Sequence, residues 1–448
     1  MPHDSSTYRD LAERSWAWVQ TQVREDGADD GGLWLPAHPG ETEPGEDPYG
    51  MHSGIGGLAH VLAEIRLTRE LTADEQRLAE RIADTVVRRI PDEKEFDYFV
   101  GLVATIGVLV ALGVEGADRA VARLHETATA DGWQTLWMGP PRLDPDGRCN
   151  DATIGNASVL LGALWALRHD VAGAPELANR AVDMTMAEAE ELPTGLDWRF
   201  VPERYLLEPV RYSMPNWSHG LAGIAGTLAA AGIALDRPDL VDAARRGAEH
   251  LVTLADTSDG GMRVDHVIPG REDLDRFTYT WCHGPAGTSL LFAALARAGV
   301  DDVAGRTPYD WERACLHSLK VSGIPERRYP GFWDNDGRCC GTAGVGDVVL
   351  NVWQRHGEDD DLAFATVLAD AIVDRAIVDR AIVGESRSGN VYWRFVEHRN
   401  EDPLLPPGVG YMQGAAGIAA FLFRFARVLE QGRDAAATAR MDTWWALP

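Results

Sequence analysis

Along the chain, unbroken apolar stretches alternate with stretches whose polar residues recur at helical spacing. Ile224 to Ala234, Thr288 to Ala298 and Ile418 to Val428 are rich in alanine, leucine and phenylalanine and nearly free of polar residues. A helix that is apolar on all sides must be buried on all sides, so these read as inner helices. Ala73 to Arg89, Pro238 to Leu251 and Asp359 to Asp374 each keep one charged face and read as outer helices. Strand patterns are sparse. Trp393 to Glu397 alternates but is short and is followed by the turn-rich run Glu401 to Gly410, which predicts a loop or a small hairpin. The AIVDR repeat in Ala371 to Val383 has a period of five residues, which does not match 3.6, and reads as a local duplication inside one outer helix.

Each apolar run is introduced by the same short motif: a glycine, any residue, an alanine and a glycine. The copies are Gly220-Leu221-Ala222-Gly223, Gly284-Pro285-Ala286-Gly287, Gly341-Thr342-Ala343-Gly344 and Gly414-Ala415-Ala416-Gly417. Gly54-Ile55-Gly56-Gly57 is close, Gly155-Asn156-Ala157-Ser158 has lost the last glycine, and Gly101 to Gly107 is degenerate. A repeat of roughly 50–70 residues marks a recurring supersecondary unit. Here the unit pairs a polar outer helix with an apolar inner one. About seven such helical hairpins closing on themselves give an all-α fold, an α/α toroid, with residues 1–448 read as a single domain. The glycines are expected where the inner helices converge at one rim, which also gathers helix N-termini and their free N–H groups.

Composition narrows the partners. With 448 residues, a large core needs no disulfide staples. The formal net charge of −27 disfavours nucleic acid and anionic membrane as partners. No basic start followed by an apolar core is visible, and no run of about 18 apolar residues could span a membrane. The expected location is therefore cytoplasmic, with the five cysteines reduced.

Three of those cysteines fall within two residues of a repeat glycine: Cys282 in Trp281-Cys282-His283-Gly284, and Cys339 and Cys340 in Arg338-Cys339-Cys340-Gly341. Counted back from the glycine, Cys282 aligns with Cys339, and His219, His283 and Cys340 align one step later. Superposed repeats would crowd them on one rim. Zinc favours thiolate and imidazole in a tetrahedron, and three protein ligands leave one catalytic position open. Cys282, Cys339 and Cys340 are thus the expected zinc ligands. His219 is a candidate for proton transfer, with a fourth metal ligand as the alternative. Asp151 and Asp97 stand at the same offset before Gly155 and Gly101, and a carboxylate there could orient a histidine; Asp151 has the better motif. Arg276, Tyr279 and His283 are candidates for substrate contact. Cys149, in a polar loop, and Cys315, on an outer helix, carry no such signal.

The ordered set Ser-His-Gly-Leu-Ala-Gly at 218–223, Trp-Cys-His-Gly-Pro-Ala-Gly at 281–287, Cys-Gly-Thr-Ala-Gly at 340–344 and Gln-Gly-Ala-Ala-Gly at 413–417 resembles the lanthionine synthetase C-like (LanC-like) cyclases over nearly the whole chain. The resemblance implies an α/α toroid with zinc on Cys282, Cys339 and Cys340, and Cys340 stands where many members have histidine. It implies His219 as acid/base and Asp151 as the aspartate of an Asp-x-x-x-Gly motif. The family's arginine position falls on Thr278, with Arg276 two residues earlier. The implied activity adds a peptide cysteine to dehydroalanine or dehydrobutyrine, forming a thioether ring. Related readings are addition of glutathione or another small thiol, and a peptide-binding homologue without catalysis. No dehydratase-like region precedes the toroid, so a separate dehydratase would have to supply a dehydrated precursor peptide. Glycosidases and terpene cyclases of toroid fold need paired acids, and the rim motifs contain no such pair.

Overall fold

The structure is a computed structural model and describes residues 3–25, 27, 31–209, 213–326, 335–378, 389–397 and 401–448. Among these, seven helices form an inner ring: α2 (Leu58–Arg66), α4 (Leu102–Leu112), α6 (Asn156–Arg168), α8 (Leu221–Ala234), α10 (Pro285–Arg297), α12 (Thr342–His356) and α14 (Ala415–Gln431). Seven more form an outer ring: α1 (Ser5–Gln22), α3 (Ala73–Arg89), α5 (Ala117–Thr127), α7 (Ala174–Ala187), α9 (Pro238–Leu254), α11 (Pro308–Val321) and α13 (Asp359–Arg375). Each inner helix packs on the next, and α14 packs back on α2, so the ring closes. From α4 to α12, each inner helix also packs on the outer helix that follows it, whereas α14 takes α1 as its outer partner. This is the α/α toroid that the hydrophobic pattern predicts.

The two patterns have the expected burial. Every residue of α8 from Leu221 to Gly232 is buried. On α9 the buried set is Leu240, Ala243, Ala244, Gly247, Ala248 and Leu251, one stripe at helical spacing. The run Ile418 to Val428 is less apolar than it reads, because Arg424 and Arg427 are buried within it. Arg427 pairs with Glu64 on α2, and Arg424 pairs with Asp347 on α12, which also receives Arg338 and Arg440. Buried charges of this kind persist only when paired.

Strands are confined to five two-stranded antiparallel hairpins among the described residues: β1 (Arg24–Glu25) with β2 (Leu33–Trp34), β3 (Glu190–Leu192) with β4 (Gly195–Asp197), β5 (Ala255–Asp256) with β6 (Arg263–Val264), β7 (Ile377–Val378) with β8 (Val391–Tyr392), and β9 (Arg394–Val396) with β10 (Leu404–Pro407). The last is the small hairpin expected around Trp393 to Glu397. The AIVDR duplication, in contrast, does not stay inside one helix. Its first copy ends α13 at Arg375, Ala376 turns extended, and Ile377 and Val378 enter β7. Asp379 to Val383 lie outside the described residues. A five-residue step rotates each copy away from the buried face that Leu368 and Ile372 occupy, so the helix has no reason to continue.

The loops that enter the inner helices are tied together by a belt of hydrogen bonds. The residue two before each motif glycine takes part in every repeat. Met412 N–H donates to His52 O, Cys339 N–H to Met412 O, Cys282 N–H to Cys339 O and Ser218 N–H to Cys282 O, at 2.7–3.3 Å. Thr153 Oγ1 donates to Ser218 O at 2.8 Å. Tyr98 N–H donates to Thr153 O and Met51 N–H to Phe99 O, which completes the circuit. The belt therefore fixes the side chains at that step, and those one step later, around one mouth of the toroid.

Candidate metal centre and catalytic rim

The motif glycines permit this entry by lacking a side chain. A Cβ at Gly287 would lie 1.8 Å from Trp281 O and 2.6 Å from Trp217 Cβ, and one at Gly220 would lie 1.5 Å from Met214 O. The incoming loop thus folds tightly against the start of its helix, and the residues between are aimed at the mouth. Position by position around the belt, the first of the two rim steps carries His52, Phe99, Thr153, Ser218, Cys282, Cys339 and Met412. The second carries Ser53, Val100, Ile154, His219, His283, Cys340 and Gln413.

Cys282, Cys339 and Cys340 meet here. All three are buried, and their sulfurs lie within 4.8 Å of one another. Cys340 Sγ is 3.4 Å from Cys282 Sγ and 3.4 Å from Cys339 Sγ. Thr280 Oγ1 lies 3.1 Å from Cys282 Sγ, and the Gln413 amide points at Cys340 Sγ from 3.8 Å. Burial raises the Cys282 thiol pKa, but the S–H groups of Cys339 and Cys340, the neighbouring His283 and the Thr280 hydroxyl outweigh it and hold the group well below the usual thiol range. Cys339 and Cys340, which donate to that thiolate, are held well above it. A cation could replace these shared protons. Thiolates around a tetrahedral ion with metal–sulfur bonds of about 2.3 Å sit about 3.8 Å apart, so the three sulfurs fit such an ion. Cys149 and Cys315 are also buried, and burial pushes both thiols up, which suits inert packing residues.

His219 stands beside this cluster, its ring 5.0 Å from that of His283. Its Nδ1 is hydrogen-bonded to Asp151 Oδ2. Asp151 is fully buried, and its other oxygen accepts from the backbone N–H groups of Thr153 at 2.6 Å and Ile154 at 2.5 Å. The carboxylate is therefore locked by its own turn, with one oxygen left for the histidine of the next repeat. Burial lowers the His219 pKa, but the charge and hydrogen bond of Asp151 outweigh it and leave it raised. Asp97 makes the same turn, accepting from Phe99 N–H at 2.9 Å and Val100 N–H at 2.7 Å. The rim residue of its next repeat is Ile154, so Asp97 has no histidine to orient. That difference separates two aspartates that share one offset in the sequence.

The remaining candidates divide. His283 is at the rim; burial pushes its pKa down to about 3, and its Nδ1 has no partner among the described residues. Its ring also lies 4.3 Å from that of His266. Tyr279 is half-buried against the core. The Arg276 guanidinium is turned outward, two-thirds exposed, and paired with Asp265 at 3.1 Å. Thr278, at the position the resemblance gives to an arginine, is buried.

A profile described as Lanthionine synthetase C-like protein matches residues 45–431. The chain belongs to that family. No curated protein sequence matches it. Among solved structures, this LanC-like protein is similar to one described as nisin cyclase, with 13% identity, a TM-score of 0.53 and 93% of each chain covered. It is also similar to a D-mannose isomerase, with 11% identity, a TM-score of 0.50, and 93% of this chain and 97% of the other covered. At such identities the likeness is one of fold. Sequence reasoning overlooked Thr280 and Gln413, which flank the sulfurs of this LanC-like site. Both carried a signal: Thr280 has the offset of Asp151 from its glycine, and Gln413 has the offset of Cys340.

Proposed function

We propose that this protein is a zinc-dependent cyclase that adds a cysteine thiol of a dehydrated peptide to dehydroalanine or dehydrobutyrine, forming a (methyl)lanthionine thioether. The observation that carries the reading is the buried three-sulfur cluster beside a histidine whose proton is held by a locked aspartate. Cys282, Cys339 and Cys340 would hold the metal, and three protein ligands would leave a fourth position for a substrate thiol. A zinc ion so held supplies a Lewis-acid position that lowers the pKa of a substrate thiol. The belt holds Cys282 and Cys339 by backbone hydrogen bonds, and Cys340 follows Cys339 directly. Asp151 accepts from His219 Nδ1 and keeps the imidazolium populated, with Nε2 as the proton-delivering atom.

The chemistry balances without a co-reactant. The thiol gives up its proton, sulfur bonds to the β-carbon, and the π electron pair of the alkene moves toward the α-carbon. His219 delivers a proton to that carbon and is reprotonated by the one the thiol released. The product is an isomer of the substrate. A precursor peptide, dehydrated by a separate dehydratase, is the substrate this reaction requires.

Because cyclisation leaves the mass unchanged, the test is thiol capture. Zinc-loaded protein is incubated with a peptide holding one dehydroalanine and one cysteine, then treated with a thiol-alkylating reagent. The expected result is an unalkylated peptide that resists fragmentation inside the ring. An alkylated linear peptide, from protein shown to carry zinc, would overturn the proposal. Added glutathione distinguishes the small-thiol reading, which forms an intermolecular adduct of higher mass.

A further inference from the structure

Two clefts lie on the mouth that carries the metal ligands. One, of about 790 Å³, runs under Trp137 and Phe99 to Ile154. The other, of about 370 Å³, runs past Phe395 and Leu405 to Gln413. They share Ala37, His52 and Ser53, so they form one groove across the mouth. Its ends reach residues that touch the two halves of the proposed site. Ile154 donates its N–H to Asp151, the partner of His219, and Gln413 points its amide at Cys340.

The lip of the groove is aromatic. Trp137 is 48% exposed, and its ring stacks on Phe200 at 6.2 Å. Phe200 in turn meets the His219 ring edge-on at 6.1 Å, so an apolar ladder leads from solvent to the histidine. The walls are mainly apolar, but every charged side chain described along them is a carboxylate: Glu41, Glu46, Asp47, Glu95 and Asp97. No lysine or arginine among the described residues lines either cleft. Burial pushes Asp47 up to about 6 and raises Asp97 and Glu95 as well, with the neighbouring acids Glu93 and Glu95 adding to it; Arg89 lines the adjoining cavity beside Glu46 and Glu95.

Resting on the cyclase reading, we infer that this groove holds the substrate peptide in extended form, with a lysine or arginine side chain against Glu46 and Glu95 and a neighbouring apolar residue under Trp137. Charge complementarity selects the occupant: an anionic chain would meet the wall carboxylates of Glu46 and Glu95, whereas a cationic one pairs with them. The net charge of −27 attracts cationic ligands to the protein as a whole. A groove joining the two ends of the site also exceeds what a small thiol needs and suits a chain that must present two reacting residues.

The test is binding rather than turnover, so it stands apart from the chemistry. Calorimetry is run with the full chain and a short, end-capped peptide of alanine and leucine carrying two lysines, lacking cysteine and dehydroalanine. A twin peptide carries two glutamates instead. The lysine peptide is expected to bind and to weaken with salt, and the glutamate peptide is expected not to bind. Glu46→Gln with Glu95→Gln should weaken the lysine peptide about tenfold, with an unchanged thermal melt. Trp137→Ala should weaken it about fivefold without altering the salt dependence. Equal affinity for the two peptides, no binding of the lysine peptide, or indifference to these substitutions would overturn the inference. Failure of the cyclase reading would instead appear as selective binding without ring formation.

Discussion

At the scale of single residues, the proposed chemistry depends on which side chains face the mouth and what holds them there. His219→Ala should keep its metal and lose about 100-fold or more in cyclisation rate, the usual worth of a positioned proton donor. Metal content by emission spectroscopy, measured beside the rate, checks this: loss of metal would make His219 a ligand instead. Asp151 raises the His219 pKa, so the imidazolium that donates is present below that value and lost above it. Asp151→Asn removes the charge, lowers the pKa and should move the alkaline limb of kcat/KM to lower pH, as a pH–rate profile would show. The three cysteines and the histidine were legible because the repeat gave each an offset from its glycine. Asp151 could not be separated from Asp97 on that basis, since the deciding fact is the residue contributed by the next repeat. Arg276 was drawn toward the site by its nearness in sequence to Cys282, yet its guanidinium is on the surface with Asp265.

At the scale of elements, helix type was readable from apolar period, and helix ends were less so. The inner helices need glycine at their entry because the incoming loop lies against the first turn. Gly287→Ala should destabilise the protein by about 2 kcal/mol or more, since the added Cβ meets Trp281 O and Trp217 with no flexible atom to yield. Urea unfolding would measure it; a change below about 0.5 kcal/mol, the range of an ordinary surface substitution, would contradict the packing argument. The AIVDR run shows the limit of local reading. Its composition suits a helix, but its five-residue step carries each copy off the buried face, and α13 stops after the first. Arg424 and Arg427 show another limit: an apolar stretch concealed two buried charges whose partners, Asp347 and Glu64, come from neighbouring helices and cannot be seen in one segment.

At the scale of the whole molecule, ring closure was foreseeable from the repeat count, and the closed belt was not, because it is made of backbone groups and the Thr153 hydroxyl from seven separate loops. The belt puts equivalent rim positions side by side, which explains how one ring can carry a three-sulfur cluster on adjacent repeats and a groove on the others. The core inside the belt also sets a pH response. His60 on α2 stacks on Tyr411 at 5.1 Å, neither ring nitrogen has a partner among the described residues, and burial, with Arg440 and Arg338 nearby, pushes its pKa down to about 3. The unfolded chain takes up that proton near pH 6.5 and the folded chain only near 3, so acidification across this window favours unfolding, by up to about 1.4 kcal/mol per pH unit from this residue. His60→Phe should therefore match the parent near pH 7.5 and be the more stable of the two at pH 5, in thermal melts at each pH.

The central claim, that three rim cysteines hold a zinc ion that activates a peptide thiol, is tested most directly by measuring zinc content and thiol capture together on the parent protein and on Cys340→Ser. The expected result is about one zinc per chain and an unalkylated, ring-closed peptide for the parent, with both lost in the variant. A parent that carries zinc yet leaves every peptide thiol open to alkylation, or a variant that still closes the ring, would contradict it.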